Sequence, residues 1–185
     1  MRRILIALVS LGLATTLAAC GYSDNGSNPD SSLPTIDPSL IPTAPPAGTK
    51  DVAADQFKTS YGDYIFKVGL GPAWCSVNVQ SQFALCEQSE VTAQYQPIPV
   101  PSTCDFSYGY QVRLWANKPD SGDFADFPCA GGAYADPSSA KVLNTGERVQ
   151  LGAFSCWVDN VTARCENPDK KYIVLGPQAW ALGNN

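Results

Sequence analysis

The sequence predicts an all-β domain with minor helix, a small disulfide-stapled sandwich or barrel made of two related halves. Three observations carry that expectation. Short runs rich in β-branched and aromatic residues are bounded by Gly, Pro, Asn or Asp. No long amphipathic helix separates these runs, which argues against a parallel α/β sheet. Two segments eighty-one residues apart, CSVNVQSQFALCEQ from Cys75 and CWVDNVTARCEN from Cys156, also repeat one pattern. Each reads Cys, any residue, Val, a polar-rich interval, then Cys, Glu and an amide residue.

Taken in order, the chain opens MRRILIALVSLGLATTLAACG. Arg2 and Arg3 precede an uncharged run over 4–19, shorter than the ~20 apolar residues of a comfortable membrane span. That pattern predicts a secretory signal over residues 1–19. Leu17-Ala18-Ala19-Cys20 resembles the lipobox of bacterial lipoproteins, in which the cysteine is diacylated and the signal is cut just before it. The resemblance implies an extracytoplasmic protein, lipid-anchored to the cell membrane through Cys20. Without Arg2 and Arg3 the mature chain has 10 Lys+Arg (12 − 2) against 17 Asp+Glu, a formal charge of −7. Such a balance argues against nucleic acid, whose phosphates are neutralised by Lys and Arg, and against a polybasic membrane patch.

Residues 21–50 contain fourteen Pro, Ser or Gly among thirty, with no aromatic after Tyr22. Such a stretch buries too little apolar surface to offset its ordering entropy. It predicts a flexible tether over 20–50 and a folded domain over 51–185. At the start of the domain, Asp51 is placed to cap a short helix over 51–57. Strands are expected over 64–68, 75–79, 110–115, 148–151 and 172–175, and at most one helical turn over 178–182.

Beyond Cys20 there are six cysteines: Cys75, Cys86, Cys104, Cys129, Cys156 and Cys165. An even number in an exported chain predicts a disulfide framework. If each echoed segment is a hairpin with its cysteines opposite, Val77 faces Ala84 and Val79 faces Gln82 across a Gln80-Ser81 loop. In the second, Val158 faces Ala163 across Asn160-Val161. The cysteines are separated by ten and eight residues; the difference of two adds one residue to each arm and preserves the pairing. Directly opposed residues lie ~4.5–5.5 Å apart, which suits a disulfide, and the valines two positions inward share the buried face. Val161 suits a tight turn poorly, which predicts a wider second loop. By elimination Cys104 pairs with Cys129. The echo itself predicts an internal duplication, with halves over about 51–110 and 135–185. Metal ligation is disfavoured, because the spacing is wide and the chain has no histidine. No C-x-x-C redox motif is present, and no cofactor is expected.

Phe66, Gly71, Cys75 and Cys86, with Leu143, Gly146, Phe154, Cys156, Cys165 and the closing strand over 172–175, carry a resemblance. Over residues 64–182 the chain resembles a family of secreted and lipid-anchored actinobacterial proteins of unknown function. It departs from that pattern over 68–72 and over 169–171. The resemblance implies an envelope location and no particular activity.

Absence of histidine removes Ser-His-Asp and Cys-His nucleophile systems. Three acids remain close in sequence: Asp120, Asp123 and Asp126. They suit a turn rich in Asp and Gly, and as an acid pair they define the alternative reading, a wall-polymer hydrolase. Trp74, Trp115, Trp157, Tyr108 and Tyr110 are the candidate binding aromatics. On the hairpin pattern Trp74 and Trp157 face away from the cysteines, forming a patch if that face is open and core if it is covered. The favoured expectation is a non-catalytic envelope lipoprotein that binds a wall glycan, a lipid or another envelope protein.

Overall fold

The computed structural model describes residues 33–184. The expected signal over 1–19, Cys20 and the first part of the tether lie outside the described residues. In chain order the strands are β1 Lys50–Val52, β2 Tyr64–Val68, β3 Trp74–Asn78, β4 Phe83–Glu87, β5 Gln111–Trp115, β6 Ala125–Asp126, β7 Lys141–Leu143, β8 Glu147–Leu151, β9 Phe154–Asp159, β10 Thr162–Glu166, β11 Tyr172–Leu175 and β12 Trp180–Gly183. They form two six-stranded sheets around one hydrophobic core, a sandwich. One sheet runs β1-β8-β9-β10-β11-β12 and the other β6-β5-β4-β3-β2-β7.

Both echoed segments are hairpins in the expected register. Cys75 stands opposite Cys86 and Val77 opposite Ala84; Cys156 stands opposite Cys165 and Val158 opposite Ala163. Disulfides join 75 to 86, 156 to 165 and 104 to 129, with Cα separations of 4.0, 4.1 and 5.6 Å. The four hairpin cysteines and both valines are fully buried. Each bridge stabilises a domain of this kind by about 2–4 kcal/mol, and three of them indicate an oxidising, extracytoplasmic compartment. The two hairpin bridges meet at the centre of the sandwich: the sulfurs of Cys75, Cys86 and Cys165 lie within 4.8 Å of one another. Held in disulfides, these sulfurs offer no thiolate for a metal.

The sheets are built alike. Matching Cys75 with Cys156 also matches Phe66 with Val149, Val112 with Ile173 and Leu114 with Leu175, all at 0 % exposure. β2 to β6 of one sheet thus correspond to β8 to β12 of the other. The two remaining strands are exchanged: β1 pairs in parallel with β8, and β7 in parallel with β2. Each half therefore lends its first strand to the sheet of the other. The first half extends through β6, past the boundary expected near residue 110.

Reciprocal contacts lock the halves. The Gln88 amide donates to Gly176 O (3.2 Å), and the Asn167 amide donates to the equivalent carbonyl, Trp115 O (3.0 Å). Both side chains are buried, at 5 % and 3 % exposure, so neither exchange partner is available from water. Gln88 also donates to Tyr95 Oη, which itself donates to Gly109 O; burial pushes the Tyr95 phenol up to about 12 and keeps it a donor. At the far ends of the hairpins, Gly69 abuts the Asn160 backbone and its equivalent Gly152 abuts Val79. Both glycines have positive φ, 45° and 58°, and a Cβ on either would collide with the opposing turn.

Five local expectations are corrected. Residues 51–57 form β1 and a 3-10 turn, Ala54–Phe57, in place of a helix; Asp51 is registered opposite Arg148 and binds it at 2.7 and 3.1 Å instead of capping. Residues 178–182 contribute the strand β12, because Trp180 docks edge-on against Phe127 with ring centres 4.9 Å apart. The second hairpin loop is two residues long, since Asn160 alone takes the positive φ (55°) and Val161 is relieved of it; the first is four residues long, 79–82, with Gln82 at φ 56°. Finally, the folded part begins well before residue 51. A 3-10 turn at Pro38–Leu40 is capped by Asp37, Ile36 packs against the core, and Pro42 O accepts from Arg164 (2.9 Å).

Asn167→Ala removes one reciprocal latch and leaves buried carbonyls unpaired. It should lower unfolding free energy by about 1–3 kcal/mol in a urea titration. An unchanged midpoint would remove the amides from the account of how the halves are joined.

Candidate functional site

The outer face of the β2–β3 pair carries a groove of about 700 Å³. Ile65 and Ser76 form its floor, residues 56–63 one wall and residues 134–141 the other. The first wall is rooted by Phe57, buried at 3 % exposure and edge-on to Phe66 at 6.0 Å. Beyond it the chain turns sharply: Thr59 N–H donates to Asp63 O (2.7 Å) and Gly62 N–H to Thr59 O (3.2 Å). That turn lifts Tyr61 to 92 % exposure at the rim.

The second wall is held by a buried carboxylate. Glu87 is 1 % exposed and accepts four N–H donors: Trp74 Nε1 (2.8 Å) and Ala135 N (3.2 Å) on Oε1, Tyr134 N (2.9 Å) and Gln111 Nε2 (3.0 Å) on Oε2. Trp74 Nε1 also reaches Ala135 O, and Gln111 Nε2 reaches Gly132 O. One carboxyl side chain thus staples residues 132–135 onto the sheet. Desolvation lifts the Glu87 carboxyl above its ordinary 4.5, and the donors from Tyr134, Ala135, Trp74 and Gln111 offset part of that rise. At the rim, Asn78 Nδ2 donates to Tyr134 Oη (3.0 Å) and lies 3.4 Å from Asp63 Oδ2, tying the two walls together. Phe83 packs edge-on under Tyr134 with ring centres 5.3 Å apart.

The aromatics singled out in the sequence do not gather in one patch. Trp157 is 2 % exposed, on the outer face of the other sheet. Its neighbour Arg164 lies 5.5 Å from the Trp157 ring and 3.5 Å from the Tyr172 ring, and is tied to Glu166 and to Pro42 O. Trp74 is half-buried beneath the second wall. Trp115 is half-buried between Phe83 and the Arg113 guanidinium, 4.6 Å from its ring. Tyr108 packs toward Phe127 and Tyr110 stacks on Tyr95. The acids of the 120–126 turn do not converge either. Asp126 is bound by Arg113 at 3.0 and 2.6 Å, while Asp120 and Asp123 stand exposed, and none of the three lines the groove.

The residues that do build the groove, Tyr61, Asp63, Glu87, Tyr134 and Lys141, were not singled out in the sequence. Glu87 carried a signal, because a Glu follows the second cysteine in both echoed segments. A smaller cavity of about 510 Å³ lies on the other sheet, lined by Arg148, Trp157, Glu166, Lys170 and residues 43–45. Compared with known proteins, the chain matches no family model, no curated protein and no solved structure. No helix among the described residues is long and apolar enough to cross a membrane.

Glu87→Gln replaces an acceptor by an N–H₂ group facing N–H donors. It should destabilise the protein by about 1–3 kcal/mol and speed proteolysis within residues 131–136. Because the folded carboxyl is raised, its contribution is full below the ordinary 4.5 and is lost as pH rises through the folded value. The stability gap between wild type and Glu87→Gln should therefore be wider at about pH 4 than at about pH 7, measured by urea unfolding at both.

Proposed function

We propose that this chain is a lipid-anchored envelope protein with a non-catalytic role, which captures an envelope component in the groove between residues 56–63 and 134–141. The groove carries the reading. Its size lies within the about 300–1,000 Å³ typical of ligand sites, and one wall is fixed by a buried carboxyl that accepts from Tyr134 N and Ala135 N of that wall as well as from Trp74 and Gln111 of the sheet. Disulfides support the envelope location, and Cys20, in its Leu-Ala-Ala-Cys setting, supports the anchor. Two or more acyl chains hold a protein firmly at a bilayer, at about 0.8 kcal/mol per buried methylene. A hydrolytic role has less support, since Asp126 is engaged by Arg113.

Two measurements test this. Cys20→Ser should move the chain from the detergent phase to the aqueous phase on Triton X-114 partition; a variant still in the detergent phase ends the anchor proposal. Ser139→Trp should fill the groove and cut sedimentation of the full chain with a cell-envelope preparation about tenfold or more, with little change in thermal stability. Undiminished sedimentation ends the groove proposal.

A further inference from the structure

We infer that the groove takes an uncharged oligosaccharide, a ligand class that rests on the groove reading above. Eleven of its fifteen lining residues carry a polar side-chain group. That is too polar for an acyl chain, whose sites are lined mainly by apolar side chains. The charges balance in number: Lys58 and Lys141 line the groove with Asp63 and Asp136, so it has no net charge to draw a polyanion or a polycation. An extended peptide is also poorly served. Its main-chain hydrogen bonds need a free sheet edge, whereas the floor is the outer face of β2 and β3, both paired with neighbours on either side.

A sugar ring needs a flat apolar surface for its C–H face and convergent donors and acceptors for its hydroxyls. Tyr61 and Tyr134 supply the first, at 92 % and 43 % exposure on opposite walls; each combines an apolar ring with a polar tip. The Asp63 and Asp136 carboxylates, the two lysines and the Ser139 hydroxyl supply the second. Asp136 is held by Ser138 N and Oγ, both at 2.9 Å, which presents its carboxylate in one orientation. A separate observation comes from the floor. Ser76 is 0 % exposed, and its Oγ has no hydrogen-bond partner among the described residues. A buried hydroxyl left unpaired costs stability in the free protein, and a ligand hydroxyl supplies the missing partner where binding displaces the side chains that cover Ser76.

The test is calorimetric titration of the full-length chain, in a detergent without a sugar headgroup, against neutral oligosaccharides of hexoses and of N-acetylhexosamines. At least one should bind, with an affinity that changes little as salt rises. Tyr61→Ala should weaken it about tenfold or more. Ser76→Ala should weaken it too, while leaving the urea midpoint unchanged or raised, an outcome a merely structural serine would not give. If no neutral saccharide binds while Ser139→Trp still abolishes sedimentation with the envelope, the saccharide assignment fails and the groove stands. If Ser139→Trp has no effect there, the underlying reading fails instead. Binding that falls steeply with salt, or is indifferent to Tyr61→Ala, also overturns the assignment.

Discussion

Two disulfides, back to back and out of reach of water, fix everything else in this molecule. Each joins directly opposed residues of a hairpin, so each forbids the register slip that would turn every side chain to the wrong face. With Cys75, Val77, Ala84 and Cys86 turned inward, Trp74, Ser76 and Glu87 must turn outward. Those three outward positions are the floor and the staple of the groove. The covalent bond at the centre of the core therefore sets the chemistry on its surface, through the strict period of two.

The Cys-Glu-amide echo has a structural meaning at each of its three letters. The cysteine closes the hairpin. The glutamate faces outward and receives whatever covers the sheet: the 132–135 wall on Glu87, and Arg164, which carries the Pro42 carbonyl, on Glu166. The amide follows the strand and crosses to the other half, where its partner is a carbonyl at the end of the matching strand, Gly176 O after β11 for Gln88 and Trp115 O closing β5 for Asn167. Reciprocity of this kind follows when two copies of one motif meet about a two-fold axis. The exchange of β1 and β7 adds a second tie, since neither half can complete its sheet without three residues of the other.

Local pattern carried the centre of the fold and lost the margins. Hairpin register, cysteine pairing and β2, β5, β8 and β11 were legible because each is a short-range consequence of alternation and spacing. β1 was not. It has one apolar residue in three, and its partner lies ninety-seven residues away, so nothing in its own composition marks it as a strand. The segment 33–49 reads as a tether from its prolines, yet a few anchors, Ile36 and the Pro42 carbonyl, are enough to seat it, because Pro and bound carbonyls cost little entropy to order. Tyr61 and Tyr134 face one groove only because β7 returns beside β2, a parallel pairing across seventy-five residues that no window of sequence contains.

Duplication also explains why the two outer faces differ, with a groove of about 700 Å³ on one and a smaller cavity of about 510 Å³ on the other. Under the correspondence of the halves, the floor residues Ile65 and Ser76 match Arg148 and Trp157 on the other sheet. At the first site the position holds a small serine, covered at 0 % exposure. At the second an indole occupies the same position, buried at 2 %, with Arg164 beside it and the chain near Pro42 drawn over it. The scaffold is symmetric where it must be, in the residues at 0 % exposure that face the other sheet, and asymmetric where a side chain could grow outward without cost to the core. The indole at the second site has a structural role: with Arg164 it seats the segment near Pro42 on the body. Ser76 Oγ and Trp157 Nε1 are both buried without a hydrogen-bond partner among the described residues, so the two positions differ in side-chain size and not in polar satisfaction. Of the two copies, the one with the smaller floor residue carries the larger groove.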